Sequence, residues 1–259
     1  MNIILSQKNR QRVTILHTAD LHLKGSKEGV TGDGPPRFDD SCTILKALID
    51  TANQLCIDLV LIAGDLFDDY HPSKRFVSSV LDELSRLEPP TIIIPGNHDC
   101  LDNSDTFTGS DWTTKDMHPY VITNPPGEIL EAPGLPVIVW GRAMEQHTSF
   151  FEPLAGLPCR NEGAWHIAMG HGFYYGEGES GHRSSPIYAN QILHSNWDYF
   201  ALGHTHFHTD VSQGRIKAAY SGSPLPAWNP NAEVLLIDLD GLRNEPVFVN
   251  RLSLFIVGR

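Results

Sequence analysis

Residues Thr91–Asp99 read TIIIPGNHD, an apolar run closed by Pro95-Gly96 and followed at once by an amide, an imidazole and a carboxylate. The run has the length and β-branching of a buried strand, and the Pro-Gly pair breaks it. Asn97, His98 and Asp99 are therefore expected on the loop just past the strand's C-terminal end. The same grammar recurs along the chain. Val13–Ala19 is an apolar run that leads into Asp20 and His22. Asp58–Ala63 (DLVLIA) leads into Gly64-Asp65, Trp165–Met169 into Gly170-His171, and Tyr199–Leu202 into Gly203-His204-Thr205-His206.

Helical periodicity lies between these runs. From Asp39 to Cys56 the apolar positions Leu45, Leu48, Ile49, Ala52 and Leu55 recur at helical spacing, with Asp39 or Asp40 as N-cap. Ser73 is placed to cap a second helix whose inner face carries Val77, Val80, Leu81, Leu84 and Leu87, ended by Pro89-Pro90. Strand–helix–strand alternation predicts an α/β fold whose sheet has parallel members and crossover helices. Leu101–Pro136, rich in Pro, Gly and Asp, reads as loops over the active face, and Val137–Trp140 as a further strand. Past Ser221-Gly222-Ser223-Pro224, Glu233–Asp240 and Pro246–Leu252 flank a turn at Gly241 and predict an antiparallel hairpin. Two stacked sheets flanked by helices account for the whole pattern.

Buried strands that each end in Asp, His or Asn gain nothing in packing, but they build a convergent cage, because the C-terminal edge of an α/β sheet is where ligands bind. Carboxylate, imidazole and amide oxygen suit Mn, Fe or Zn. Two ions need a shared ligand, and Asp65, isolated between Gly64 and Leu66-Phe67, is the choice for the bridge. A water held by two such ions would attack phosphorus in line. His98 is placed to give the leaving alkoxide its proton, and Asp99 is available to orient the ring. Each motif alone has an ordinary reading: Asp20-Leu21-His22 and Gly64-Asp65 are common turns, and alternation along an extended segment could point His204 and His206 to different faces. His208 reads as a surface or outer-shell residue. His17, His71, His118, His147, His166, His182 and His194 read as structural.

The ordered set Asp-x-His, Gly-Asp-x-x-Asp, Gly-Asn-His-Asp, Gly-His and Gly-His-x-His resembles the calcineurin-like metallophosphoesterase superfamily from about Thr14 to Pro226. HTADLHL (His17–Leu23), GDLFDDYHPS (Gly64–Ser73), YFALGHTH (Tyr199–His206) and YSGSPLP (Tyr220–Pro226) look like the SbcD-type DNA repair exonucleases. The resemblance implies a four-layer α-β-β-α sandwich and a two-metal site, usually manganese-dependent. One metal would take Asp20, His22 and His206, the other Asn97, His171 and His204, with Asp65 shared and His98 the non-ligand catalytic histidine. Asp68 stands where some members carry another catalytic histidine. A homodimer contact through the helix near Ser73 and the segment after Asp99 is also implied.

Residues 1–259 are expected to form a single metallophosphoesterase domain: a core over about 13–226, a hairpin over about 231–255 and no separate DNA-capping domain. No window approaches the roughly 18 apolar residues of a membrane helix. The patch Ile3-Ile4-Leu5 ahead of Lys8, Arg10 and Arg12 is no secretory signal, so a cytoplasmic protein with no membrane partner is expected. Cys42, Cys56, Cys100 and Cys159 form no CxxC pair and are expected reduced. With 31 acidic against 19 basic side chains, net charge −12, the chain is poorly suited to gripping long nucleic acid by charge. The leading expectation is a phosphodiesterase or nuclease acting on nucleic acid ends or smaller phosphodiesters. The alternatives are a phosphomonoesterase or small-nucleotide hydrolase of the same fold, and a non-catalytic scaffold, which would be expected to lack one or more ligands.

Overall fold

The computed structural model describes residues 10–25, 40–102, 106–107, 112, 119–160 and 163–256. Its frame is two six-stranded sheets. In the first, β1 (Val13–Thr18), β2 (Leu59–Ala63), β3 (Thr91–Ile94) and β4 (Tyr120–Val121) run parallel. The antiparallel hairpin of β13 (Glu233–Leu239) and β14 (Val247–Ser253) extends it beside β1. The second sheet sets β6 (Val137–Gly141), β7 (Trp165–His171), β10 (Tyr199–Gly203) and β12 (Lys217–Tyr220) parallel. Its edges are the antiparallel β5 (Glu128–Glu131) and β11 (Thr209–Asp210). A small parallel pair, β8 (Phe173–Tyr175) with β9 (Pro186–Tyr188), stands apart.

The strands read as continuous apolar runs because both of their faces are covered, and alternate residues serve different cores. Ile15, Leu59, Leu61 and Ile92 of the first sheet meet Val139, Trp165, Ile167 and Ala201 of the second in the layer between them. Leu16, Val60, Ile62 and Ile93 point the other way, against helix α1 (Asp40–Gln54) and helix α2 (Lys74–Leu84). There α1 lays down Ile44, Leu45, Leu48 and Ile49, each buried side chain contributing about 1.5–3 kcal/mol of apolar transfer. Ser73 caps α2 by accepting the Phe76 N–H at 3.3 Å. The outer face of the second sheet carries Trp140, Phe200 and Tyr220, covered by the short helix α3 (Ala189–Leu193) with Leu154 and Trp197. The order of layers is α-β-β-α.

Several expectations change in detail. Leu101–Pro136 is not loop throughout, since it contributes β4 to one sheet and β5 to the other, as edge strands too short and too polar to show periodicity. The inner face of α2 is Phe76, Val80 and Leu84, with Val77 and Leu81 only partly buried. Asp39, one of the two N-cap choices for α1, and His118 lie outside the described residues. Cys42 and Cys100 are buried, Cys56 and Cys159 exposed, and all four are free thiols. Among the described residues no helix is long and apolar enough to cross a membrane.

Polar ties cross the apolar interior at two levels. The His17 Nδ1 of β1 and the Tyr199 hydroxyl of β10 hydrogen-bond at 2.8 Å. At the N-terminal ends of the strands, Arg10 donates twice to Asp198, at 2.6 and 3.0 Å, and its guanidinium stacks 3.6 Å above the Trp165 ring. A denser polar cluster lies at the opposite end of the strands, where the expected ligands are.

Candidate metal centre

At the C-terminal ends of β1, β2 and β10 the backbone leaves the ordinary regions of conformational space. Asp20 has φ 55°, His22 φ 44°, Asp65 φ 53° and His204 φ 103°. Such conformations cost non-glycine residues of order 1–3 kcal/mol each and persist only where surroundings impose them. Here the loops after β1 and β2 are laced together: the Asp20 N–H donates to the Gly64 carbonyl at 3.0 Å, His22 to Asp65 at 3.0 Å and Leu23 to Leu66 at 2.9 Å. Glycine at 64 (φ 96°) and 203 lets the sheets close, since a methyl group at Gly64 would strike the His171 ring and one at Gly203 the Ala63 carbonyl.

These constraints aim seven side chains into one pocket. Asp20, His22 and His206 bring ligand atoms within 4.8 Å of one another, as do Asp20, Asp65 and His171. The Nε2 atoms of His22 and His206 are 3.1 Å apart. On the other side Asn97 Oδ1 lies 3.0 Å from His171 Nε2 and 2.7 Å from His204 Nδ1. Asp65 stands between the two groups: Oδ1 accepts the His98 N–H at 2.8 Å, while Oδ2 is 3.4 Å from His171 Nε2 and 3.8 Å from His22 Nε2. Asp20 is oriented by the His204 N–H, 3.1–3.2 Å from its two oxygens, and Ser223 donates its hydroxyl to the Asp20 carbonyl at 2.7 Å. The Ala63 carbonyl accepts from His171 Nδ1 at 2.8 Å, which turns Nε2 toward the cluster.

The electrostatics favour cations. Burial, with the charge of His171, holds His204 down to about 3, and burial, with His22, holds His206 down to about 4. Both rings are neutral, as ligand imidazoles must be. At His171, in contrast, burial is outweighed by the charges of Asp65 and Asp20, which raise the ring to about 9, so an ion bound there would displace its proton. Burial acts to raise Asp65, but His171 and His22 outweigh it and hold the carboxyl well below its usual range. Asp20 has fewer such neighbours and is pushed upward by burial. Converging carboxylates, imidazoles and one amide oxygen, with two imidazole nitrogens face to face, form a donor set that fits two divalent ions of the Mn, Fe or Zn kind.

The Asp99 expectation needs correction. Its carboxylate is wholly buried and accepts the Phe67 N–H at 2.9 Å and the Gly96 N–H at 2.7 Å, so it ties the Asp65 loop to the Asn97 loop. The carboxylate that faces His98 is Asp68, 3.3 Å from His98 Nδ1, which also lies 2.8 Å from His22 Nδ1 and 2.8 Å from Lys24 Nζ. Two residues with no such signal in the sequence border the pocket. The His147 ring is 5.9 Å from that of His204, and the Trp228 indole is 4.3 Å from that of His206. His208 is on the surface, bonded through Nδ1 to the Tyr220 carbonyl at 3.0 Å.

Comparisons with known proteins place the chain in a family. The family model for calcineurin-like phosphoesterases matches residues 13–208. The chain is 26% identical over 224 residues to YhaO of Bacillus subtilis, described as an uncharacterized metallophosphoesterase, covering 82% of this chain and 53% of that protein. It is 27% identical over 248 residues to the SbcD component of the nuclease SbcCD of the same organism, covering 82% and 61%. The chain thus spans between half and two thirds of the length of these curated relatives. Among solved structures, TT1561 of Thermus thermophilus shares the fold at TM-score 0.53 and 13% identity, over 93% of this chain and 99% of that one.

Proposed function

The chain belongs to the calcineurin-like phosphoesterase family, and from that membership and the geometry of its pocket we propose that it is a metal-dependent phosphodiesterase of nuclease type. The observation that carries the reading is the convergence of seven donors from the ends of five strands, with Asp65 between two groups of three. Asp20, His22 and His206 would hold one divalent ion and Asn97, His171 and His204 the other, with Asp65 shared; manganese is the proposed ion. Two ions so held supply Lewis-acid activation of water and of the phosphoryl oxygens.

The remaining work falls to the chain. His98 stands at the rim with a side chain 43% exposed, close enough to the pocket to protonate a departing alkoxide and open enough to regain its proton from solvent. Asp68 lies 3.3 Å from Nδ1 of that ring and would leave Nε2 to face the leaving group. Asp99 keeps the loops of Asp65 and Asn97 in register, which fixes the shared carboxylate against the opposite ligand group. A monoester carries more negative charge than a diester and calls for a spare cation beside the ions. Lys24 is engaged by Asp68, and the Arg183 guanidinium lies over the Phe173 ring at 4.9 Å. Both arrangements favour the diester.

A substrate panel with Mn²⁺ tests the reading: an aryl phosphodiester, an aryl phosphomonoester and linear single-stranded DNA. Cleavage of the diester and the DNA, with the monoester at least roughly tenfold slower, is expected. A preference for the monoester would overturn the diesterase assignment, and no turnover by metal-loaded protein would leave a binding scaffold. The homodimer expected through α2 and the segment after Asp99 is checked by sedimentation of the same sample.

A further inference from the structure

His206 also lines a groove of about 130 Å³ whose walls include Phe207, Trp228, Asn229, Asn231, Glu233 and Arg251. Trp228 lies on the turn after β12, where its N–H donates to the Leu225 carbonyl at 3.0 Å. Its indole leans on His206 at 4.3 Å and on His22 at 5.8 Å between centroids, yet 36% of the residue faces solvent, and 63% of Phe207 does. An aromatic ring serving only to buttress the two histidines would gain by covering its other surface as well. Two exposed aromatic side chains next to a phosphoester site offer π surface to whatever is attached to the phosphate.

We propose that Trp228, with Phe207, forms a stacking platform for the planar base of a nucleoside carried by the substrate phosphodiester. The proposal rests on the phosphodiesterase reading and adds to it the residue that selects a nucleoside over a plain alkyl or sugar ester. Three observations converge on it. The platform touches a ligand histidine, His206, so a base seated there lies beside the proposed metal pocket. The groove's rim is polar: Asn231 is exposed, and Arg251 pairs with Glu233 at the far wall, so a base can find hydrogen-bonding partners along its edge. The chain carries 31 acidic against 19 basic side chains, so grip on a nucleic acid strand through phosphate neutralisation is weak and must be supplemented by uncharged contacts. Base–aromatic stacking is such a contact, and it tolerates any sequence because every base has a π face.

The test is calorimetric titration of the full, Mn²⁺-loaded chain with thymidine 5′-monophosphate and, separately, 2-deoxyribose 5-phosphate, which share the phosphate and the sugar and differ in the base. The nucleotide is expected to bind the native chain roughly 5- to 150-fold more tightly. Trp228→Ala should bring that ratio close to one, and Trp228→Phe should keep most of it. Equal affinities in the native chain, or an unchanged ratio in Trp228→Ala, would overturn the proposal. Equal weakening of both ligands would do so too, since it would mean that the indole only supports His206. Turnover of the aryl phosphodiester is measured on the same preparations. A chain that discriminates between the ligands but cleaves no diester keeps the platform and loses the enzyme reading, while cleavage without discrimination does the reverse.

Discussion

Replacing Asp99 by Asn should cost the protein stability far more than chemistry. The carboxylate has two acceptor oxygens, each committed to one backbone N–H, Phe67 at 2.9 Å and Gly96 at 2.7 Å, in a site with no exposure to solvent. An amide of the same shape keeps one acceptor and turns an NH₂ group on the other N–H. Burial, with the Asp65 charge, pushes the Asp99 carboxyl up to about 7, so the bond counts as an ordinary one, and leaving its buried donor unpaired costs about 1–3 kcal/mol. For a chain of this size that lowers the melting temperature by roughly 2–12 °C. In contrast, Asp68→Asn alters a carboxylate 23% exposed at the rim. It should move the melting temperature by no more than about 2 °C and reduce kcat by roughly 10- to 1000-fold, since His98 and the ligand His22 both lose the charge facing their Nδ1 atoms. Thermal melts followed by circular dichroism and initial rates on an aryl phosphodiester, for both variants with Mn²⁺, separate the roles. If Asp99→Asn melts like the native chain and Asp68→Asn turns over like it, the assignment of orienting and loop-tying carboxylates is the wrong way round.

Three further outcomes are expected. His98→Ala should lose about 10²- to 10⁴-fold in kcat while elemental analysis still finds two metals per chain; unaltered turnover would remove His98 from the reaction. Gly203→Ala should impair folding or metal retention, because its new methyl group meets the Ala63 carbonyl across the two sheets, and a native-like melt with full metal content would contradict that. His17 is fully buried, and burial lowers it to about 3, so the folded chain keeps it neutral where the unfolded chain, near 6.5, takes up a proton. Its share of stability is complete above pH 6.5 and declines as pH falls toward 3, at up to about 1.4 kcal/mol per pH unit. His17→Gln should flatten denaturation midpoints across that window by about one proton, and an identical slope would mean that His17 does not titrate in this way.

The ligand positions were legible because two independent signals coincide in them. A strand buried on both faces leaves an uninterrupted apolar run, and a metal-binding residue type at its end is conspicuous for that reason, as at Ile94 before Asn97 or Ala63 before Asp65. What stayed hidden depends on the third dimension. Asp68 and Asp99 are both acidic residues near His98, and only the left-handed turn at Asp65, which swings the Leu66–Asp68 segment around, decides which of them meets the ring. Chain proximity favoured Asp99. Trp228 stands two residues past the YSGSPLP motif (Tyr220–Pro226), but it is no metal-binding residue type and ends no apolar run, so nothing in the sequence marks it as a neighbour of His206, 22 positions earlier. Strands β4 and β5 were lost in Leu101–Pro136 because two to four residues at a sheet edge carry too little periodicity to register.

The pocket takes Asp20, His22, Asp65 and Asn97 from one sheet and His171, His204 and His206 from the other. Cations lodged there would act as rivets between layers that meet otherwise mainly through hydrocarbon. Occupancy at a hundred times the dissociation constant adds about 2.7 kcal/mol per site to the folded form. Thermal tolerance then becomes a gauge of trace-metal supply, and a cell starved of the ion would lose this protein to its proteases as well as losing its catalysis.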